Sequence, residues 1–285
     1  PVLATNRYAG GRRWRLADVL APGLWWLHGT RGSNVYLVEA DDGRLALVDT
    51  GFGSSSGAIL EEIQALGGKL AAVLLTHLHR DHTGAAAAVR AATGALVHLG
   101  RGDCLQRGDG YILHPAVGRT HVLRRMSGRT HRVPREDTVV DVVMTGEVEV
   151  LPGIRAVPVA GHTPGAYCFL VDRLDAAFVG DLVISHGGEL TRSMKFANSD
   201  DAAYLESIRQ FAVIAPGAGL PGYGSPVMQG FGDALRRLAE LPRRRGIAPS
   251  IERALRLARF TKGMSATRSA PESQGEGRAT GPREN

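Results

Sequence analysis

Short apolar runs, bounded by glycine, proline and acidic residues, recur along the chain and predict β-strands. Two helical patterns lie between the first of these runs. The first pattern follows three serines at 54–56 and stops at Gly67, and the second is rich in alanine and stops at Gly94. We predict strands at 24–28, 34–38, 45–48, 72–75, 139–144, 148–151, 154–159, 167–171 and 176–179, and helices at 59–66, 85–92, 201–211 and 227–238.

The order of these elements predicts an α/β fold. Hairpin turns such as Asp41-Asp42-Gly43 dominate the first and middle blocks, so the sheets should be mixed. Two mixed β-sheets packed together, flanked by helices, form a four-layer αββα sandwich. We assign residues 1–241 to this single domain.

Two segments do not follow the strand and helix patterns. Residues 101–137 are rich in glycine, arginine and histidine without a sustained period, which favours a functional loop or lid. After residue 241, we predict a basic helical arm at 242–264, with an amphipathic stretch from Ile251 to Phe260. The polar stretch 265–285 has the composition of a disordered tail.

Composition excludes several classes of protein. With 285 residues, of which 44% are hydrophobic, the chain can bury a sizeable core. Its two cysteines lack CxxC spacing, so no disulfide framework is expected. No apolar run approaches the roughly 20 residues of a membrane span, and residues 1–15 lack a signal-type apolar stretch. We therefore expect a cytoplasmic protein that does not enter a membrane.

The formal charge of +6 is unevenly distributed. Residues 236–285 contain twelve basic and five acidic residues, and residues 101–137 contain eight arginines and four acidic residues. The rest of the chain is therefore acidic, which suits a site that binds cations with carboxylates. The basic balance belongs to peripheral segments and is weak evidence for nucleic-acid binding.

A dense group of metal-ligand types follows the strand predicted at 72–75. His77, His79, Asp81 and His82 lie within six residues, between that strand and a helix. Imidazole and carboxylate ligands together suit zinc, iron or manganese. Two further loops after strands each carry one more such residue, His162 in Gly-His-Thr-Pro-Gly and Asp181 in Gly-Asp-Leu. These three loops predict one metal centre.

Residues 20–230 contain four motifs: Val48-Asp49-Thr50-Gly51, HxHxDH, GHTPG and the Gly-Asp after a strand. Through these motifs the chain resembles the metallo-β-lactamase superfamily of metal-dependent hydrolases, near its glyoxalase II and lactonase branch. The resemblance implies the αββα sandwich. It also implies the roles of the site residues: His77, His79 and His162 hold metal 1, Asp81 and His82 hold metal 2, Asp181 bridges both, and Asp49 supports the metal loop from behind.

Tyr223 departs from the family pattern. Most hydrolytic members carry a histidine at this position, which completes metal site 2, and this chain has no histidine after His186. Tyr223 could bind the metal as a phenolate, since a metal can lower a pKa that is normally about 10. Alternatively, it stays neutral and site 2 binds weakly, or His186 supplies the missing ligand. A fourth alternative is that the protein works with one metal or has lost activity.

The resemblance predicts hydrolysis of a small ester, lactone, thioester or amide. A bound cation, with one or two zinc ions expected and iron or manganese as alternatives, lowers the pKa of water to about 7 and so supplies hydroxide. Asp81 and Asp181 are acceptors that could orient the hydroxide or move a proton, and Tyr223 would complete the catalytic set.

The substrate and the partners are less defined. If residues 101–137 form a lid, their arginines predict an anionic small-molecule substrate. If the segment is a solvated loop, the arginines say nothing about the substrate. A phosphodiesterase or nuclease resembling ribonuclease Z is the alternative activity, although an aromatic and basic RNA-binding arm is not recognisable. We do not expect nucleic acid as a partner, and a homo-oligomer is left open.

Overall fold

Seven strands form the first β-sheet of the computed structural model, which describes residues 17–115, 137–187 and 189–242. In spatial order they are β1 (Ala17–Ala21), β2 (Leu24–Leu27), β3 (Tyr36–Glu39), β4 (Leu45–Val48), β5 (Leu70–Leu74), β6 (Leu96–Gly100) and β10 (Val142–Met144). The first four strands pair antiparallel, as the predicted hairpins require, and the pairs from β4 to β10 are parallel. The sheet is therefore mixed, as predicted.

The second sheet has five strands and comes from the later part of the chain. In spatial order they are β11 (Val148–Leu151), β12 (Ile154–Pro158), β13 (Tyr167–Val171), β14 (Ala176–Gly180) and β17 (Ala218–Pro221). Neighbours up to β14 are antiparallel, whereas β14 and β17 are parallel because a long connection joins them.

Two small sheets lie beside these large ones. One contains β7 (Cys104–Arg107), β8 (Gly110–Leu113) and β9 (Val139–Val140), and the other contains β15 (Ile184–His186) and β16 (Glu189–Thr191). The β7–β8 hairpin lies inside the segment that lacks a sequence period. Residues 116–136 of that segment lie outside the described residues.

Five α-helices occur in the described part of the chain: α1 (Ser56–Leu66), α2 (Arg80–Thr83), α3 (Ala86–Thr93), α4 (Asp201–Ile214) and α5 (Phe231–Glu240). Their ends follow local chemistry. Gly67 and Gly94 end α1 and α3 in the left-handed conformation, which glycine adopts at little steric cost. The Asp200 carboxylate accepts hydrogen bonds from the first-turn amides of Ala202 and Ala203 in α4.

Three buried clusters define four layers. The first cluster joins α1 and α3 to one face of the seven-stranded sheet and includes Ile59, Val89 and Leu37. The second lies between the two large sheets, and the third joins the five-stranded sheet to α4 and α5. The strand period of two separates the faces, since Tyr36 belongs to the second cluster and Leu37 to the first. The αββα sandwich is confirmed.

Several predicted boundaries were wrong. The helix predicted at 227–238 begins at Phe231, because Gly230 has a φ of 69° and Val227 forms a β-bridge with Gly219. Strands β1 and β6 were not predicted, and neither was the β15–β16 hairpin. The basic arm and the polar tail, beyond Pro242, lie outside the described residues. None of the described helices has the length and apolar character needed to cross a bilayer.

Candidate metal centre

Loops that follow three strands bring the candidate ligands together. His77 and His79 follow β5 and precede α2, His162 lies between β12 and β13, and Asp181 follows β14 directly. One ligand atom from each of these four residues lies within 4.8 Å of the others. Residues more than one hundred positions apart in the chain therefore form a single cluster.

The imidazoles of the cluster face one another through their nitrogen atoms. His79 Nδ1 lies 2.9 Å from His77 Nε2 and 3.0 Å from His162 Nε2. The rings meet edge to face, with centroids 4.6–4.8 Å apart. Such an arrangement directs three nitrogen atoms at one small volume.

Bonds on the far side of the rings determine which nitrogens face the centre. His162 Nδ1 lies 3.0 Å from Asn198 Oδ1, and Asn198 Nδ2 donates to Asp201, so His162 Nδ1 is the donor and, in the neutral ring, Nε2 carries the lone pair. His77 Nδ1 lies 3.0 Å from Thr76 Oγ1, whose own hydrogen goes to Asp49. The Nε2 lone pair of His77 therefore also faces the centre.

Asp49 lies beneath the cluster and connects its loops. It is almost fully buried and has a φ of 55°, unusual for a residue with a Cβ. Its carboxylate accepts hydrogen bonds from the Thr76 amide at 2.9 Å, from the Thr76 hydroxyl at 2.8 Å and from His82 Nδ1 at 2.7 Å. Asp49 therefore joins Thr76 to His82 at the two ends of the loop that carries His77 and His79, and its support of the metal ligands stays a prediction.

His82 reaches the cluster through Asp181. Its Nε2 lies 3.3 Å from Asp181 Oδ1, yet both atoms are buried with no hydrogen-bond partner in the described structure. Burial lowers the pKa of His82, but the carboxylates of Asp49 and Asp181 outweigh it and raise that pKa well above the usual range. Burial alone would raise the pKa of Asp181, and the facing imidazoles of His82 and His162 hold it well below its usual range instead.

The other three imidazoles differ in how readily they take up a proton: His77 and His79 are neutral near pH 7, whereas His162 interacts with the Asp181 carboxylate. Burial, followed by the neighbouring histidines, holds the pKa of His77 well below its usual range and lowers that of His79 to about 4. Burial also opposes a charge on His162, but its hydrogen bond with Asp181 raises its pKa. Neutral imidazoles and an ionised carboxylate are the forms that bind metals.

These residues fit a divalent cation. Three convergent imidazole nitrogens and one carboxylate match the ligand types that zinc, iron and manganese accept. Asp181 Oδ1 is buried with no hydrogen-bond partner among the described residues, and a cation at the cluster would give this carboxylate one. A polar group buried without a partner is costly, so the site is better satisfied with a cation than without one.

Asp81 and Tyr223, predicted for the second metal position, are bonded to each other. The Tyr223 hydroxyl donates to Asp81 Oδ2, and the Tyr223 ring packs edge to face against His82 with centroids 5.6 Å apart. Burial, followed by the charges of Asp181 and Asp81, raises the pKa of Tyr223 far above its usual range. The tyrosine is therefore a neutral donor in this arrangement.

His186, the third candidate for the second metal position, lies elsewhere. It is exposed at the end of β15, where it pairs in register with Glu189 of β16, and it is not part of the four-residue cluster. The distance along the chain from Asp181 is short, but the structure places His186 in the β15–β16 hairpin and not among the four clustered ligands.

Two residues that support the centre were missed by sequence reasoning. Asn198, 4% exposed, fixes the orientation of His162, and Asp103, fully buried, bonds to both metal-ligand loops. Asn198 belongs to no recognisable motif. In the sequence, Asp103 stands out only as one of the charges of the basic segment 101–137.

Comparison with known protein families decides the assignment. Residues 28–246 match the profile of the metallo-β-lactamase superfamily, which is about three quarters of the chain. The chain belongs to the metallo-β-lactamase superfamily. The resemblance carried by HxHxDH and GHTPG is thereby confirmed.

Two curated fungal relatives are named as thioesterases. The chain is 28% identical over 210 residues to an atrochrysone carboxyl ACP thioesterase of Aspergillus fumigatus, covering 72% of this chain and 54% of the relative. It is 27% identical over 215 residues to the thioesterase pkgB of Emericella nidulans, covering 73% of this chain and 49% of the relative. The chain thus spans about half the length of the curated relatives it matches.

Solved structures of the superfamily share the fold. A metallo-β-lactamase from Erythrobacter litoralis superposes with a TM-score of 0.56 at 21% identity, covering 83% of this chain and 99% of the other. The di-iron-bound form of TTHA1623 superposes with a TM-score of 0.51 at 24% identity, covering 68% of this chain and 88% of the other. At these identities the likeness supports the sandwich architecture alone.

Proposed function

We propose that the protein is a metal-dependent hydrolase that cleaves a thioester or a closely related ester. The observation that carries this proposal is the convergence of ligand atoms from His77, His79, His162 and Asp181 within 4.8 Å. A cation held there would act as a Lewis acid toward the carbonyl oxygen and lower the pKa of water to about 7. Zinc is our preferred metal, with iron and manganese as the alternatives that the same ligands accept.

The carboxylates of the site supply charge and accept the proton. Asp181 remains ionised because the imidazoles of His82 and His162 hold its pKa low, so it offsets the charge of a cation. Asp81 is held by the Tyr223 hydroxyl at Oδ2 and is our candidate for the group that accepts the proton of the attacking water. The new C–O bond forms as the C–S bond breaks, and the proton passes on to the departing thiolate.

The thioester preference rests on two arguments. Two relatives that share about half their length with this chain are named as thioesterases. A thiolate also leaves more readily than an alkoxide or an amide, since a free thiol has a pKa of about 8.5. A site with carboxylates and neutral imidazoles, but without a dedicated strong acid, suits such a leaving group.

We further propose that the protein works with one tightly bound cation. Three imidazole ligands are the usual protein set of a catalytic cation that keeps a position open for water, and Asp181 lies beside them. At the second position, Asp81 Oδ2 accepts the hydroxyl of Tyr223, the residue that stands where the family pattern has a histidine. The phosphodiesterase alternative has no contact among the described residues that favours it.

The test is metal quantification combined with a substrate panel. Purified protein is loaded with zinc, iron or manganese and assayed with an acyl N-acetylcysteamine thioester, a lactone, an aryl ester, an amide and a bis-aryl phosphodiester. We expect metal-dependent thioester cleavage that exceeds cleavage of the amide and the phosphodiester. His79→Gln should abolish it, whereas the exposed His186→Gln serves as the matched histidine control. Turnover of the phosphodiester alone would contradict the proposal.

A further inference from the structure

Asp103 is a buried aspartate whose carboxylate accepts three hydrogen bonds. It ends the short 3₁₀ turn Arg101–Asp103 that follows β6, and it is 0% exposed. Oδ2 accepts from the Leu78 amide at 2.8 Å and from the Thr163 hydroxyl at 2.6 Å, and Oδ1 accepts from the Gly165 amide at 2.8 Å. Three charge-assisted bonds to one side chain form a strong local anchor.

The donors come from the two loops that carry imidazole ligands. Leu78 lies between His77 and His79, and Thr163 follows His162 directly. One carboxylate thus connects the loop after β5 to the loop after β12, which belong to different sheets of the sandwich. A shift of either loop would have to break a bond to Asp103.

Close backbone packing allows little tolerance around this connection. A Cβ on Gly102 would lie 2.5 Å from the carbonyl carbon of Pro164 and 2.7 Å from the Gly165 nitrogen. A Cβ on Gly165 would lie 2.7 Å from the Gly100 oxygen and 2.8 Å from Asp103 Cβ. Backbone therefore meets backbone here, and larger residues would push the two loops apart.

We propose that Asp103 is a positioning residue that sets the distance between His162 and the His77–His79 pair, and so determines the affinity and geometry of the cation site. It touches neither the cation nor the substrate and acts through the backbone of the ligand loops. The proposal rests on the metal centre of the proposed function and adds a residue to it. Partners behind metal ligands typically change metal affinity by about 10–100-fold when they are replaced.

The experiment compares Asp103→Asn with Asp109→Asn, an exposed aspartate in the turn of the β7–β8 hairpin. Zn²⁺ affinity is measured by competition with a chromophoric chelator, and the visible absorption spectrum of the Co²⁺ form reports ligand geometry. Asparagine keeps the size of the side chain but places an amide donor opposite backbone and hydroxyl donors. We expect Asp103→Asn to bind Zn²⁺ at least about tenfold more weakly, with a changed Co²⁺ spectrum. Asp109→Asn should match the wild type.

A second pair of variants covers the case in which Asp103→Asn does not fold. Thr163→Ser keeps the hydroxyl that bonds to Asp103 and should retain wild-type affinity and spectrum. Thr163→Val keeps the shape but loses the donor, and should weaken Zn²⁺ binding while the apoprotein melts at a temperature close to the wild type's. If Asp103→Asn and Thr163→Val bind Zn²⁺ as the wild type does, the positioning role is wrong and the metal centre stands. If the wild type binds no cation, both proposals are wrong.

Discussion

The hydroxyl of Tyr223 donates a hydrogen bond to the carboxylate of Asp81, so two residues expected at a second metal position satisfy each other. The family pattern places a histidine where this chain has Tyr223. A neutral phenol is a much weaker metal ligand than an imidazole, because tyrosine binds metals well only as phenolate. This pairing underlies our proposal of a single tightly held cation.

Replacing the tyrosine by histidine should restore the second position. We expect the wild type to retain about one equivalent of zinc after dialysis against a mild chelator, and Tyr223→His to approach two, since it adds a nitrogen ligand beside Asp81 and His82. Elemental analysis measures the stoichiometry. Tyr223→Phe, which removes the hydroxyl without adding a ligand, is the matched control and should stay near one equivalent. Two equivalents retained by the wild type would contradict this account.

Asn198 should control the affinity of the site through His162. Asn198→Ala removes the acceptor that fixes the His162 ring, so we expect zinc affinity to fall by about tenfold. Competition with a chromophoric chelator measures the change. Gln210→Ala, an exposed amide on α4, is the control. Equal affinities for Asn198→Ala and the wild type would show that the ring is oriented by other contacts.

The central layer should dominate stability. Phe169 is fully buried between the two large sheets. Phe169→Ala removes a large side chain from a packed interior, and we expect it to lower the free energy of unfolding by about 3–5 kcal/mol. Val213→Ala, at a side chain that is 83% exposed, should change it by less than about 0.5 kcal/mol. Urea unfolding at pH 7 compares them, and a small effect at Phe169 would contradict the assigned core.

His98 should make the protein less stable in mild acid. Burial lowers the pKa of its imidazole to about 4, against the opposing attraction of Asp141, and Nδ1 has no hydrogen-bond partner among the described residues. The unfolded chain takes up this proton near pH 6.5, whereas the folded protein does so only near pH 4. The stabilising contribution is therefore present above about pH 6.5 and is lost as the pH falls towards 4.

The variant His98→Leu isolates this contribution. Between pH 7 and pH 5, we expect the wild type to lose about 2 kcal/mol more unfolding free energy than the variant does, because leucine takes up no proton in the unfolded chain. Urea unfolding at both pH values gives the difference. Parallel pH dependence in the two proteins would mean that His98 is protonated as readily when folded as when unfolded.

The sequence predicted the parts of the site that lie in compact motifs. His77, His79, His162 and Asp181 each follow a strand at a recognisable spacing, and the structure brings them together. Asn198 and Asp103 could not be found in this way, because their roles depend on contacts between segments distant in the chain. Asn198 lies 36 positions from His162, and Asp103 lies 25 positions from Leu78 and 60 from Thr163.

The fold was likewise predicted only in part from the sequence. Continuous apolar runs such as 45–48 predicted strands and layers, since burial on both faces leaves a clear pattern. The β7–β8 hairpin was missed because its apolar residues do not alternate: Leu105 is exposed, whereas Ile112 and Leu113 are buried in succession. The start of α5 was misplaced by four residues, since the apolar residues from Val227 continue its pattern while Gly230 adopts a left-handed turn.

The most direct test of the central claim is reconstitution of the apoprotein. Chelator-treated wild type is titrated with zinc while thioester hydrolysis is followed through release of the free thiol, in parallel with His162→Ala. The account predicts that the apoprotein is inactive, that activity rises to a plateau at about one equivalent of zinc, and that His162→Ala stays inactive at that level. An apoprotein as active as the zinc-loaded protein, or a fully active His162→Ala, would contradict it.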